Sequence, residues 1–220
     1  TGVLAAAFFA FLSLSPFTQG LFANSEHFVL LPAIGGLTVL FKALDEDRPC
    51  LLFCSGLLLG TRFLMKQHGI MFVLPAAAYL LMNGLAKRIR LVQRFALFST
   101  GVIPPYALVC LFFWKARIFE NFWYWTFTYA GSYASHVPMQ QAWSGFKDRF
   151  LPIAASAPLI WGFCIAGICF VWKDAFAGKS RAFILLFFLF SFIAVCPGFY
   201  FRPHYFLLLL PAAGLLGAIG

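Results

Sequence analysis

Charge is what this sequence has least of. Only 10% of its 220 residues are Asp, Glu, Lys or Arg, against about a quarter in an ordinary soluble domain. Also missing is any Cys-x-x-Cys pair: Cys50, Cys54, Cys110, Cys164, Cys169 and Cys196 all fall in or beside apolar stretches with no His at ligand spacing. That excludes a cysteine-based metal or redox motif and leaves six small hydrophobes. No internal repeat and no low-complexity tract interrupts the chain, which excludes a solenoid or a string of tethered domains. No basic segment precedes the first apolar stretch and no small-residue cleavage site follows it, so the opening is not a signal peptide. The chain starts at Thr1 and runs at once into GVLAAAFFAFL. The expectation is a fragment that begins inside a helix of a longer protein and lacks its N-terminal part.

What is present is apolar surface. Hydrophobic residues make up 62% of the chain and aromatics 20%, with thirty Phe. A soluble fold of this size leaves roughly 30% of its chain surface in water, far too much to hide that composition. The lipid bilayer is therefore the expected solvent. The formal charge of +9 comes from Lys and Arg in short connections between apolar runs, as in loops beside lipid headgroups. No basic stretch is interleaved with aromatics, so no nucleic-acid partner is expected.

Apolar runs occur at 3–15, 27–44, 50–65, 68–84, 92–114, 151–172, 181–197 and 203–219. A spanning helix needs about 20 residues. Taken as one helix, 50–84 would be about 52 Å long against a hydrocarbon core of about 30 Å. Arg62, Lys66, Gln67, His68 and Gly69 also interrupt it, so two passes with a turn near 65–68 are expected. The predicted fold is all-α: one multi-pass transmembrane bundle of about eight helices over 1–220, in a cell membrane. Alternation puts 42–49, 85–94 and 173–181 on one side, and 16–26, 62–68, 115–150 and 198–204 on the other. Basic residues number nine against seven, which orients little. Density decides: Lys87, Arg88, Arg90 and Arg94, with Lys173, Lys179 and Arg181, make the first side cytoplasmic. The segment 115–150 is rich in Trp, Tyr and Phe, which favour the membrane–water boundary, so short interfacial helices are expected on the outer surface.

The outer connections gather the chemistry. They carry Asn24, Ser25, Glu26 and His27; Arg62, Lys66, Gln67 and His68; Glu120, Asn121, Tyr129, Tyr133 and His136; and Tyr200, Arg202 and His204. Any one alone reads as a helix-end anchor. Four connections that each offer a cation, a His or a carboxylate suggest a shared cavity. A sugar on a polyprenyl phosphate brings an anionic phosphate to this depth. Lys66 and Arg202 could neutralise it and stabilise it as a leaving group. Glu26 could activate an acceptor hydroxyl or hold a divalent metal ion. A proton-coupled transporter or a flippase for a lipid-linked saccharide would also place such charges between helices.

LSLSPFTQGLFANSEHFVLLPAIGGLTVLF resembles a helix connection of the membrane glycosyltransferases with lumenal or periplasmic active sites. The closest groups are the protein O-mannosyltransferase-like and lipid A aminoarabinose transferase-like families. The resemblance makes Glu26 their outer acidic residue at a helix start. GLLLGTRFLMKQHGIMFVLPAAAYLL is similar to their glycine-rich helix and Lys-containing turn, which implicates Lys66, Gly69 and Pro75. The stretch from Trp172 to Leu216 resembles their later helix pair and implicates Arg202, Tyr205 and Pro211. The implied activity is transfer of a hexose or pentose from a polyprenyl-phosphate donor to a lipid or protein acceptor. Glu26 is the catalytic candidate, and Lys66, His68, Arg202, His204 and Tyr205 the substrate-binding ones. The chain departs from the pattern twice. The leading acidic loop would lie upstream of Thr1, and His136 sits later than the family's metal-site His, so no metal ligand is assigned.

Overall fold

Helix boundaries follow the charged and proline-containing interruptions of the apolar runs. The computed structural model describes residues 1–84, 88–173 and 178–220. Among them it is all-α, with α1 Gly2–Ser13, α2 Ser25–Asp45, α3 Pro49–Met65, α4 Val73–Gly84, α5 Arg88–Lys115, α6 Phe119–Trp123, α7 Tyr129–Ala134, α8 Met139–Ser156, α9 Pro158–Phe170, α10 Arg181–Val195 and α11 Leu210–Gly217. Short 3-10 segments at Pro16–Thr18, Gln67–Phe72 and Pro203–Leu208 and a π turn at Tyr124–Thr128 join several of them. Helices α2 and α5 are long and apolar enough to cross a membrane. The 28 residues of α5 span about 42 Å. Only 17% of its apolar window is buried within the protein, so the rest is surface suited to lipid.

Two compact units divide the chain: Thr1–His27 with Met139–Gly220, and Phe28–Pro138. In the second unit, α3 and α5 pack backbone to backbone. A Cβ on Gly56 would overlap the Phe98 carbonyl oxygen, one on Gly60 that of Val102, and one on Gly101 that of Phe53. Small residues spaced by four are the usual means of bringing membrane helices this close. The Ser55 hydroxyl donates to the Gly36 carbonyl at 2.7 Å and ties α3 to α2. At one end of this unit, Arg94 pairs with Asp47 and Arg90 approaches it at 3.9 Å. The basic clusters of 42–48 and 88–94 therefore meet.

In the first unit, α11 lies against both α1 and α9. A Cβ on Gly214 would come within 2.8 Å of the Ala5 carbonyl oxygen, and one on Gly167 would overlap that of Leu216. Phe146 of α8 meets the rings of Phe192, Phe201 and Phe206 at 5.7, 5.4 and 6.2 Å.

Three boundaries differ from expectation. The run 151–172 is not one helix: α8 and α9 meet at 105°. Pro158 has no N–H for the Ala154 carbonyl, and it pushes Ala157 out of the helical region, to φ −149° and ψ 60°. Of the basic segment 85–94, residues 85–87 lie outside the described residues, as do 174–177. Arg88 to Arg94 already form the first turns of α5. The aromatic segment 115–150 holds short helices, as expected, but α8 begins inside it at Met139 and runs on to Ser156. It divides at Pro138 between the two units.

Candidate active site

The approach to Glu26 is tied down by its own side chains. Ser15 caps the 3-10 turn by accepting from the Phe17 N–H at 3.3 Å. Thr18, fully buried, donates to the carbonyls of Ser15 and Leu12 at 2.9 and 3.3 Å. Gln19 adopts the left-handed region, φ 54°, and its carbonyl accepts from the Asn24 side-chain amide at 2.8 Å. This braced loop delivers Glu26 into the first turn of α2, where the helix dipole favours a carboxylate. The side chain is 0% exposed, and the Ser25 hydroxyl reaches Oε2 at 3.4 Å.

The same loop meets the 198–204 connection. Gln19 Oε1 lies 3.2 Å from His204 Nδ1. As an acceptor it requires the proton on Nδ1, which fixes the ring orientation. His204 in turn stands perpendicular to Tyr205 at 5.0 Å. Arg202 is exposed, its guanidinium 5.4 Å over the Tyr200 ring. Glu26, Arg202, His204 and Tyr205 thus all belong to the first unit.

Lys66 and His68 belong to the second. The residue Lys66 ends α3 in extended backbone, φ −161° and ψ 135°, with its N–H still bonded to the Arg62 carbonyl at 3.1 Å. Half-buried, it lines a cavity of about 330 Å³ with Phe63, Gln67, Tyr106, Phe113 and Phe122. The Gln67 amide donates to the Thr126 carbonyl at 2.9 Å, which joins the 62–68 connection to the aromatic segment. His68 is buried at 8% exposure on the 3-10 segment.

One residue was underweighted by the sequence. Arg62 counted there as one cation of a connection, yet it sits inside the last turn of α3 at 0% exposure. Its signal was legible: an arginine one turn inside an apolar helix is costly enough to need a purpose. Among the described residues no three His, Cys, Asp or Glu side chains gather into a cluster that could hold a metal ion.

Each unit thus carries candidates of its own: a buried carboxylate at a helix start and an arginine and a tyrosine on one turn in the first, a half-buried lysine beside a cavity in the second. No curated protein and no solved structure matches the chain. A family model, that of the dolichyl-phosphate-mannose-protein mannosyltransferases, matches residues 1–114, the part that carries Glu26, Lys66 and His68. With that match over more than half of its length, this membrane chain belongs to the dolichyl-phosphate-mannose-protein mannosyltransferase family, a family of glycosyltransferases.

Proposed function

We propose that the chain forms part of a multi-pass glycosyltransferase of the cell membrane. It moves a sugar from a polyprenyl-phosphate donor to a lipid or protein acceptor at the periplasmic or lumenal face. Glu26 activates or positions the acceptor hydroxyl. Lys66 and Arg202 hold the donor phosphate and stabilise it as it leaves. His68, His204 and Tyr205 complete substrate binding. The observation that carries this reading is the fully buried Glu26 carboxylate at the start of α2, within the family-matched segment. Full burial of an acidic side chain is costly where a surface cap would serve a helix equally well.

A flippase for lipid-linked saccharides has one observation on its side, the helix pair α8–α9 broken at 105°, since discontinuous helices often line transport sites. Family membership favours the transferase.

The test is Glu26→Gln, which keeps size and hydrogen bonding and removes the charge. The expected result is a fall in turnover of about a hundredfold or more with folding retained. Near-normal sugar transfer from a polyprenyl-phosphate donor would return Glu26 to a simple helix cap, for which only a small loss of stability is expected.

A further inference from the structure

The last turn of α3 is chemically incomplete. The Arg62 Nε donates to the Leu59 carbonyl at 3.1 Å, and the guanidinium carbon lies 5.2 Å over the Phe72 ring. Its Nη1 and Nη2 have no hydrogen-bond partner among the described residues, although the side chain is 0% exposed. Those two nitrogens carry four of a guanidinium's five N–H donors. A buried cation without an anion or acceptors is among the least favourable arrangements a protein can hold, and one aromatic face offsets only part of it.

The surroundings say what could complete it. A planar fork of unsatisfied N–H groups matches two oxygens of one oxyanion. Lys66, a second cation, follows four residues later in extended backbone at the end of α3. A phosphate, with more than one charge to share, suits such a pair better than a carboxylate. The 3-10 segment Gln67–Phe72 covers this turn. A Cβ on Gly69 would already lie 3.0 Å from the Arg62 carbonyl oxygen, and Phe72 itself is fully buried. Hydrogen bonds of a 3-10 helix are geometrically poorer than those of an α-helix, so this cover is the element that yields most readily.

We propose that Arg62 is an oxyanion-binding residue that takes the phosphate of a phosphate ester once the Gln67–Phe72 segment moves aside. The proposal rests on the donor reading above and adds to it a residue that grips the phosphate with two parallel bonds. Without ligand, the guanidinium is parked on Phe72.

Thermal unfolding of the purified protein in detergent, with farnesyl phosphate, inorganic phosphate or neither, tests this. Wild type should be stabilised by farnesyl phosphate. Arg62→Met should unfold no lower than wild type without ligand, because an apolar side chain of similar reach replaces an unpaired charge. It should bind the ester at least tenfold more weakly, the usual scale for a lost charged hydrogen bond. Arg62→Lys keeps the charge but not the fork, and should fold as wild type and bind at least tenfold more weakly. That variant decides the matter if Arg62→Met folds poorly. A response to both ligands that needs Arg62 assigns the site to phosphate itself; a response to the farnesyl ester alone assigns it to lipid-linked phosphate. Wild-type binding in both variants, or no response of wild type to either ligand, would overturn the proposal. Binding is read here without turnover. A protein that binds the ester through Arg62 yet transfers no sugar would sink the transferase reading and leave this one standing.

Discussion

Lys66 and Arg202 are held differently, and this shapes what their loss should do. Lys66 is half-buried on an extended residue beside a cavity, whereas Arg202 is exposed and stacked on Tyr200. If both grip the donor phosphate, Lys66→Ala and Arg202→Ala should each raise the donor KM by about ten- to a hundredfold, or about 1.5–3 kcal/mol. The larger effect is expected at Lys66, where less water competes. Unfolding temperatures should stay close to wild type, since neither side chain is part of the buried core. An unchanged donor KM in both variants removes them from the site. At this scale residue types were readable and environments were not. Glu26 and Lys66 stood out by position at the ends of apolar runs. Arg62 showed its place one turn inside an apolar helix but not its burial, because hydropathy cannot tell a cation at a helix end from one folded under a neighbouring segment.

Helices were legible where composition marks their ends. The break at Lys66, the start of α3 at Pro49 and the end of α5 at Lys115 coincide with charge or proline. The 105° turn between α8 and α9 was hidden because Ala154 to Leu159 are mostly small or apolar and hydropathy runs straight through them. Its only trace was Pro158 after Ser156 and Ala157. Short helices were expected in 115–150, but not that α8 runs from Met139 across to Ser156, because Lys147, Asp148 and Arg149 interrupt the hydropathy without interrupting the helix. Close packing was legible in part, since Gly56 and Gly60 are spaced by four, but their partner helix was not. A direct check compares two glycines. Gly60→Val drives a branched side chain into the Val102 backbone and should lower the unfolding temperature sharply or abolish folding. Gly162→Ala, in mid-α9 with nothing within 4 Å of the new Cβ, should be neutral or gain up to about 1 kcal/mol. Equal effects of the two would refute a backbone-contact role for Gly60.

Sidedness belongs to the whole molecule. The meeting of Arg90 and Arg94 with Asp47 puts the 42–48 and 88–94 clusters at one end of the second unit, as alternation requires. If that end and the 173–181 connection are cytoplasmic, Ile89→Cys and Gly178→Cys in a cysteine-free background should resist a membrane-impermeant thiol reagent in intact cells. Both should react after permeabilisation. Labelling of either from outside reverses the orientation and removes an outer active site. The first unit, meanwhile, is built from two stretches of chain, with all of Phe28–Pro138 between them. Helix α1 packs on α11 and Gln19 bonds to His204, 185 residues further along. At synthesis rates of about 5–20 residues per second, α1 leaves the ribosome on the order of ten seconds before its partners exist. The second unit can close during that interval from a continuous stretch. The Glu26 loop receives its brace from Gln19 to His204 only after all of Phe28–Pro138 has been made, so its surroundings mature later than the second unit.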